Sequence, residues 1–236
     1  MIKKPWPRAQ VAVDVVAVTV LESDCKVLLV RRDPAQPTLA LPGGLVHCGD
    51  GVRDQGEDVP AAARRALLEL THIEAGALVL VKAFSAPFRD PCTRIVSVAF
   101  LTVVRPEVAA FVRARADAAV RWFAARDLDK ITLALDHNEI ARVCLERLRQ
   151  DMEAGHHEQA RELVPRVFSM AELRASIDAV TGGRSDPGNF RRRFLRWVDD
   201  GVIAAAAGQR VTSKRPAGVW SYSEGRTPGL VSPRGQ

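Results

Sequence analysis

The chain is dense in valine from Gln10 to Leu21, and residues 26–31 repeat that texture after the polar break Glu22-Ser23-Asp24. Branched side chains suit a pleated surface, so the two runs read as strands joined by a hairpin, and a chain that opens this way is committed to a sheet. Its longest apolar runs, such as residues 15–21, fall far short of the roughly 18 residues a membrane helix needs. The basic start Met1-Ile2-Lys3-Lys4 is followed by no apolar signal core, so a cytoplasmic location without a membrane partner is expected. With 236 residues, 47% of them hydrophobic and 26% charged, the chain has the composition of a soluble globular protein with room for two domains.

The first half continues as an α/β pattern. Residues 39–42 read as a third short strand running into Gly43-Gly44 and a polar loop, and Pro60 opens a helix over residues 61–70. Residues 78–84 and 95–104 read as strands, 106–119 are ambiguous between helix and irregular chain, and 120–123 form a short strand. Asp136 is placed to cap a helix reaching Met152. Gly155-His156-His157 then interrupts the pattern, which divides the chain into residues 1–155 and 156–224, with a Gly/Pro/Ser-rich tail, 225–236, expected to be disordered.

Beyond the break, a helix begins near Glu158 and ends before Pro165. Ser169 with Glu172 three residues later is a capping box for a second, closed by Gly182-Gly183, and Asp186 with Pro187 starts a third. Two strand-like pieces follow, 202–211 and 219–222. Helix, turn, basic helix and ribbon is the order of a winged helix-turn-helix. Between Arg184 and Arg215 there are eight basic residues and three acids, which is five of the chain's net charge of +6. On the third helix Asn189, Arg192, Arg193 and Arg196 recur at three- and four-residue intervals as an exposed stripe, joined by Arg191, while Phe190, Phe194 and Trp197 share an apolar one. Guanidinium groups suit phosphates and guanine edges alike, so this helix is expected to enter a DNA major groove. Ser213, Lys214 and Arg215 stand at the expected wing tip, to meet phosphates or the minor groove.

No metal site is expected. Cys25, Cys48, Cys92 and Cys144 form no C-x-x-C pair, His47 and Cys48 lack a third ligand, and His156-His157 are equally without partners. No P-loop or Ser-His-Asp order is present.

Leu41-Pro42-Gly43-Gly44, a loop to Gly56-Glu57, and then Arg65 in the run to Ile73 resemble the Nudix box, G-x5-E-x7-R-E-U-x-E-E-x-G-U with U aliphatic. The spacing from Glu57 to Arg65 is intact, whereas the loop from Gly44 to Glu57 is about seven residues longer than the pattern. Where the family converges three acids on one helical face, this chain has Ala66, Glu69 and Leu70. The resemblance therefore implies a nucleotide pocket without metal-assisted hydrolysis and with no catalytic residue. Residues 85–100 resemble the segment before the substrate-facing strand of ADP-ribose-type Nudix domains. There Arg89 or Arg94 is expected to grip a diphosphate and Phe88 or Phe84 to stack on adenine, with Glu57 and Glu69 at the same pocket.

Taken with residues 168–194 and 214–217, the whole chain resembles the Nudix-related transcriptional regulators of NAD metabolism in bacteria. That resemblance implies a Nudix-type α/β/α sandwich with a mixed sheet, followed by the winged helix. It also implies a homodimer on an inverted-repeat operator in double-stranded DNA, and ADP-ribose or an NAD-related nucleotide as effector, with no cofactor required. An active hydrolase of ADP-ribose-like nucleotides and a Nudix-type regulator that answers to a sugar are the alternatives.

Overall fold

A computed structural model describes residues 8–31, 38–50, 53–114, 119–212 and 215–223. The valine-rich start forms β1 (Gln10–Leu21), which turns through Glu22 and Ser23, both at positive φ, into β2 (Asp24–Val30). β3 (Gly43–Leu45) follows, then α1 (Val59–Thr71), β4 (Val79–Phe84), β5 (Ile95–Val103), α2 (Pro106–Ala114), β6 (Val120–Ala124) and α3 (His137–Glu153). The sheet order is β4-β5-β1-β2-β6 with β3 also on β1, and only β1 and β5 are parallel, so the sheet is mixed.

β1 is central because both of its faces are buried. Val13, Val15 and Ala17 join one core with Ala62, Ala63 and Leu67 of α1 and Ala109 and Val112 of α2. Val16, Val18 and Val20 join the other with Ile140, Cys144 and Leu148 of α3. The alternation of a strand's side chains thus places the sheet between two helical layers.

The second core continues past residue 155. After the one-turn α4 (His157–Ala160) and a 3₁₀ turn, α5 (Met170–Thr181), α6 (Pro187–Asp199), β7 (Ile203–Thr212) and β8 (Arg215–Tyr222) complete the chain. Phe168, Leu173 and Ile177 pack into the same apolar cluster as Phe190, Phe194 and Trp197. Both caps predicted for these two helices are present: Ser169 and Glu172 form a full capping box, and Asp186 accepts the Asn189 N–H at 2.8 Å. Gly182 closes α5 at φ 73, a left-handed turn that favours glycine.

Three expectations are corrected, and the open reading of residues 106–119 is resolved over 106–114. Residues 39–42 do not form a strand; Leu39 and Ala40 make isolated bridges to different partners, and Pro42 has no N–H to extend a ladder. The strand is instead Gly43–Leu45, drawn onto β1. Residues 106–114 are helical, with Ala109 and Val112 buried. The helix after residue 155 is a single turn followed by 3₁₀ geometry. β8 starts at Arg215, because a two-stranded ribbon leaves each strand a free edge on which Pro216 is tolerated. The tail, 225–236, and the tip residues Ser213 and Lys214 lie outside the described residues. Among those described, no helix is long and apolar enough to cross a membrane.

Gly43 lies so close to β1 that a Cβ would press on the Val13 carbonyl oxygen and the Asp14 carboxylate, whereas one on Gly44 meets open space. Gly43→Ala is expected to lower stability by about 1–3 kcal/mol in urea unfolding, the usual cost of overpacking, while Gly44→Ala should leave the midpoint nearly unchanged.

Candidate functional site

The box residues gather around Arg65. Asp58 caps α1 by accepting the Ala61 N–H at 2.7 Å, which presents Arg65 about two turns later beside the loop. Its Nε lies 2.9 Å from Glu57 Oε2 and its Nη2 2.5 Å from Oε1; Nη2 also donates to the Leu45 carbonyl at 3.0 Å and Nη1 to Glu69 Oε2 at 3.1 Å. The Arg65 hydrogen bonds, helped by the His47 N–H, hold the Glu57 carboxyl at about 2, well below the usual carboxylate range. Ala66 is buried and Leu70 packs on the core. Both remaining acids therefore share the one Arg65 guanidinium, and among the described residues no group of three or more His, Cys, Asp or Glu could hold a metal ion. This donor set does not fit a catalytic divalent cation, which relies on carboxylates to hold it.

A second polar cluster lies inside the fold. Asp14, in the middle of β1, accepts from Ser97 Oγ on β5 at 2.6 Å and lies 3.5 Å from Arg89 Nη2. Arg89 also holds Asp136 in a bidentate pair, Nε to Oδ2 at 2.9 Å and Nη2 to Oδ1 at 2.6 Å. His137 Nδ1 accepts the Leu41 N–H at 3.0 Å, which assigns the ring proton to Nε2, 3.3 Å from Asp14 Oδ1. The Arg89 and His137 side chains are each only 2% exposed. Burial pulls the Arg89 pKa down, but its bonds to Asp136 and the charges of Asp136 and Asp14 outweigh that and raise it above the ordinary value.

This geometry bears on two expectations. Arg89, expected to grip a diphosphate, has its Nε and Nη2 on Asp136 and Asp14, and its side chain is only 2% exposed. Asp136 stands at the N-cap of α3 but makes no capping bond, because Arg89 holds its carboxylate. Sequence reasoning missed Asp14, Ser97 and His137. The available signal was one acid inside an apolar valine run, since a charge buried in a strand requires a partner.

The loop between β4 and β5 carries the accessible ligand candidates. Phe88 is 92% exposed and held at φ 63, a strained conformation for a non-glycine residue. Arg94 is exposed and donates to the Ala86 carbonyl at 3.1 Å. Phe84 is buried in the core, so of the two aromatics only Phe88 is open to a ligand.

On α6, Asn189, Arg191, Arg192 and Arg196 are exposed, and Arg192 donates to the Asn189 side chain. Phe190, Phe194 and Trp197 are buried; Phe194 meets Trp220 of β8 edge-on at 5.2 Å. Arg193 departs from the expected stripe. Its guanidinium turns inward over the Phe190 and Trp197 rings, 5.1 and 5.3 Å from their centroids, with Nη1 3.4 Å from the Met152 carbonyl at the end of α3. Of the three wing residues Arg215 is described as the first residue of β8, paired with Thr212. Away from both clusters, a cleft of about 1340 Å³ opens between α3 and the α5–α6 turn, with Arg142, Arg174, Arg184 and Asp178 on its walls.

Residues 10–148 match the NUDIX domain family. Over 223 residues the chain is 25% identical to an ADPR responsive transcriptional repressor NtrR of Acinetobacter baylyi, covering 94% of this chain and 85% of that protein. An ADP-ribose pyrophosphatase of Methanocaldococcus jannaschii is 33% identical over 124 residues, 51% of this chain and 66% of that protein. Among solved structures, Shewanella oneidensis NrtR complexed with a 27mer DNA matches with a TM-score of 0.75 at 23% identity, covering 90% of this chain and 93% of that one, which is a likeness of fold.

Arg89→Met leaves the buried Asp14 carboxylate and the half-buried Asp136 carboxylate without their guanidinium and should cost about 3–5 kcal/mol of stability in chemical denaturation, whereas Arg94→Met, at an exposed site, should stay within about 0.5 kcal/mol of wild type. Since folding lowers the Glu57 pKa from 4.5 to about 2, its stabilising contribution is complete above about pH 4.5 and disappears as pH falls toward 2. Thermal melts of wild type and Glu57→Gln should accordingly differ at pH 6 and converge near pH 2.

Proposed function

The chain belongs to the NUDIX domain family, and from that footing we propose that it is a DNA-binding transcriptional regulator whose Nudix half binds ADP-ribose or a related NAD metabolite without hydrolysing it. The observation that carries this is α6: a capped helix that buries an aromatic face and exposes Asn189, Arg191, Arg192 and Arg196, followed by an antiparallel ribbon. Such a helix can lie in a major groove while the ribbon acts as a wing, with Ser213, Lys214 and Arg215 meeting phosphates. The overall similarity to a repressor that responds to ADPR supports both parts of the proposal.

In the Nudix half, Arg94 contacts the diphosphate and Phe88 stacks on the adenine. The ion pair of Arg89 with Asp136 fixes the loop that carries both. Glu57 and Glu69, clamped by Arg65, shape the pocket and activate no water. A homodimer would place two α6 helices on an inverted repeat, one or more turns of about 34–36 Å apart. The effector acts by binding one arrangement of the dimer better than the other, since a ligand of equal affinity for both shifts nothing. The chain's likeness to an ADP-ribose pyrophosphatase favours a second reading, hydrolysis, which the absence of two box acids opposes.

Turnover of ADP-ribose with magnesium should stay below about 1 s⁻¹, the low end of ordinary enzyme rates; a faster rate establishes the hydrolase instead. Duplexes enriched by the wild-type protein from a random pool provide the DNA probe. On the enriched duplex Arg192→Ala should cost about 1–3 kcal/mol, whereas Lys214→Ala should weaken all duplexes and flatten the log–log salt slope by about 0.9. Wild-type binding by both variants and by Arg196→Ala would remove α6 and the wing from the DNA interface.

A further inference from the structure

Among the described arginines of α6, Arg193 alone points its head into the protein. Its Nη1 lies 3.4 Å from the carbonyl oxygen of Met152, in the last turn of α3. Helix C-termini favour a cation, and the last turn of α3 has no basic residue of its own, so α6 supplies one from outside. The contact is a marginal one. It is long, the Arg193 Nε is buried without a hydrogen-bond partner among the described residues, and burial lowers the Arg193 pKa against the opposing influence of Asp178 and Tyr222. A buried donor left unpaired has a cost, which brings the held and released positions of the side chain closer in free energy.

The other end of the same helix is also held by a guanidinium from outside. Asp136, immediately before α3, is gripped by Arg89 of the β4–β5 loop. A helix of 17 residues is about 25 Å long and moves as a rod. The cleft between α3 and the α5–α6 turn leaves room for the helix pair to shift against that rod. We propose that Arg193 is a positioning residue and not a DNA contact: its hold on the Met152 carbonyl sets the angle of α6, so that a displacement of the ligand loop, passed through Asp136 and α3, reaches the DNA-binding helix. This deepens the proposed function and rests on it.

The test is the ratio of DNA dissociation constants with and without saturating ADP-ribose, measured by fluorescence anisotropy on the full chain with a duplex enriched by the wild-type protein. Arg193→Met keeps a stem over the two rings and removes the hydrogen bond to Met152. Gly155→Ala perturbs the contact from the acceptor side, since Gly155 sits at φ 83 and its N–H donates to the Met152 carbonyl at 3.2 Å, while an added Cβ stays at an ordinary 4.0 Å from Arg193 Cδ. The wild-type ratio should differ from 1 by about fivefold or more, within the ordinary range of coupling. In both variants it should fall to within about twofold of 1 while ADP-ribose affinity without DNA stays unchanged, and Arg193→Lys should be intermediate. Should Arg193→Met fail to fold, as judged by circular dichroism, Gly155→Ala decides alone. If Arg193 were instead a DNA contact, Arg193→Met would weaken binding equally with and without ADP-ribose and preserve the ratio, which overturns the proposal. A wild-type ratio of 1 contradicts the functional proposal itself, whereas a wild-type response retained in both variants contradicts only the role of Arg193.

Discussion

Arg89 carries a charge where water is nearly excluded, and the first half of the molecule is arranged around satisfying it. Its partners come from two other places in the chain, Asp14 in the central strand and Asp136 at the entrance to α3. A buried charge stripped of its partner costs several kcal/mol, so strand, loop and helix cannot separate independently. The remaining capacity of Asp14 is taken up by the Ser97 hydroxyl and the His137 ring, and His137 in turn accepts the N–H of Leu41. Gly43 follows from the same arrangement, since its missing side chain leaves space for the Asp14 carboxylate.

The Nudix helix solves a different electrostatic problem with a single guanidinium. Arg65 ties Glu57 to the end of β3 and reaches Glu69 one turn farther along α1. Convergent acids that share a metal ion repel one another until it binds, and such sites are built to be filled. With Ala66 buried and Leu70 packed on the core, that convergence is absent here, and Arg65 pairs with both remaining acids while solvent reaches Glu69. At the surface of this helix Arg65, Glu57 and Glu69 form one ion-paired cluster.

Local signals were the legible ones. The capping box at Ser169, the Asp186-Pro187 start of α6 and the glycine stop at Gly182 each depend on a few neighbouring residues, and each stands in the structure where its residues place it. The strands of the valine-rich hairpin were equally readable, as was the aromatic face of α6. What could not be read was where long side chains end. Arg89 and Arg94 look alike in a loop, yet one is enclosed by carboxylates from strand and helix while the other stays in solvent. Arg193 and Arg192 are adjacent, yet the first turns inward over the Phe190 and Trp197 rings while the second stays in solvent. The third strand was displaced to Gly43–Leu45 for the same kind of reason, because the approach of β1 decides which residues pair.

Two ligands that act through one arrangement of a protein must alter each other's affinity by the same factor. The most direct measurement is therefore a calorimetric titration of ADP-ribose into the full chain, first alone in the presence of EDTA and then with a saturating enriched duplex. Binding in EDTA, with a dissociation constant that changes by about fivefold or more when DNA is present, is the result expected of a metal-free sensor coupled to a DNA-binding helix. Equal dissociation constants in the two titrations, or binding that requires magnesium, would contradict it.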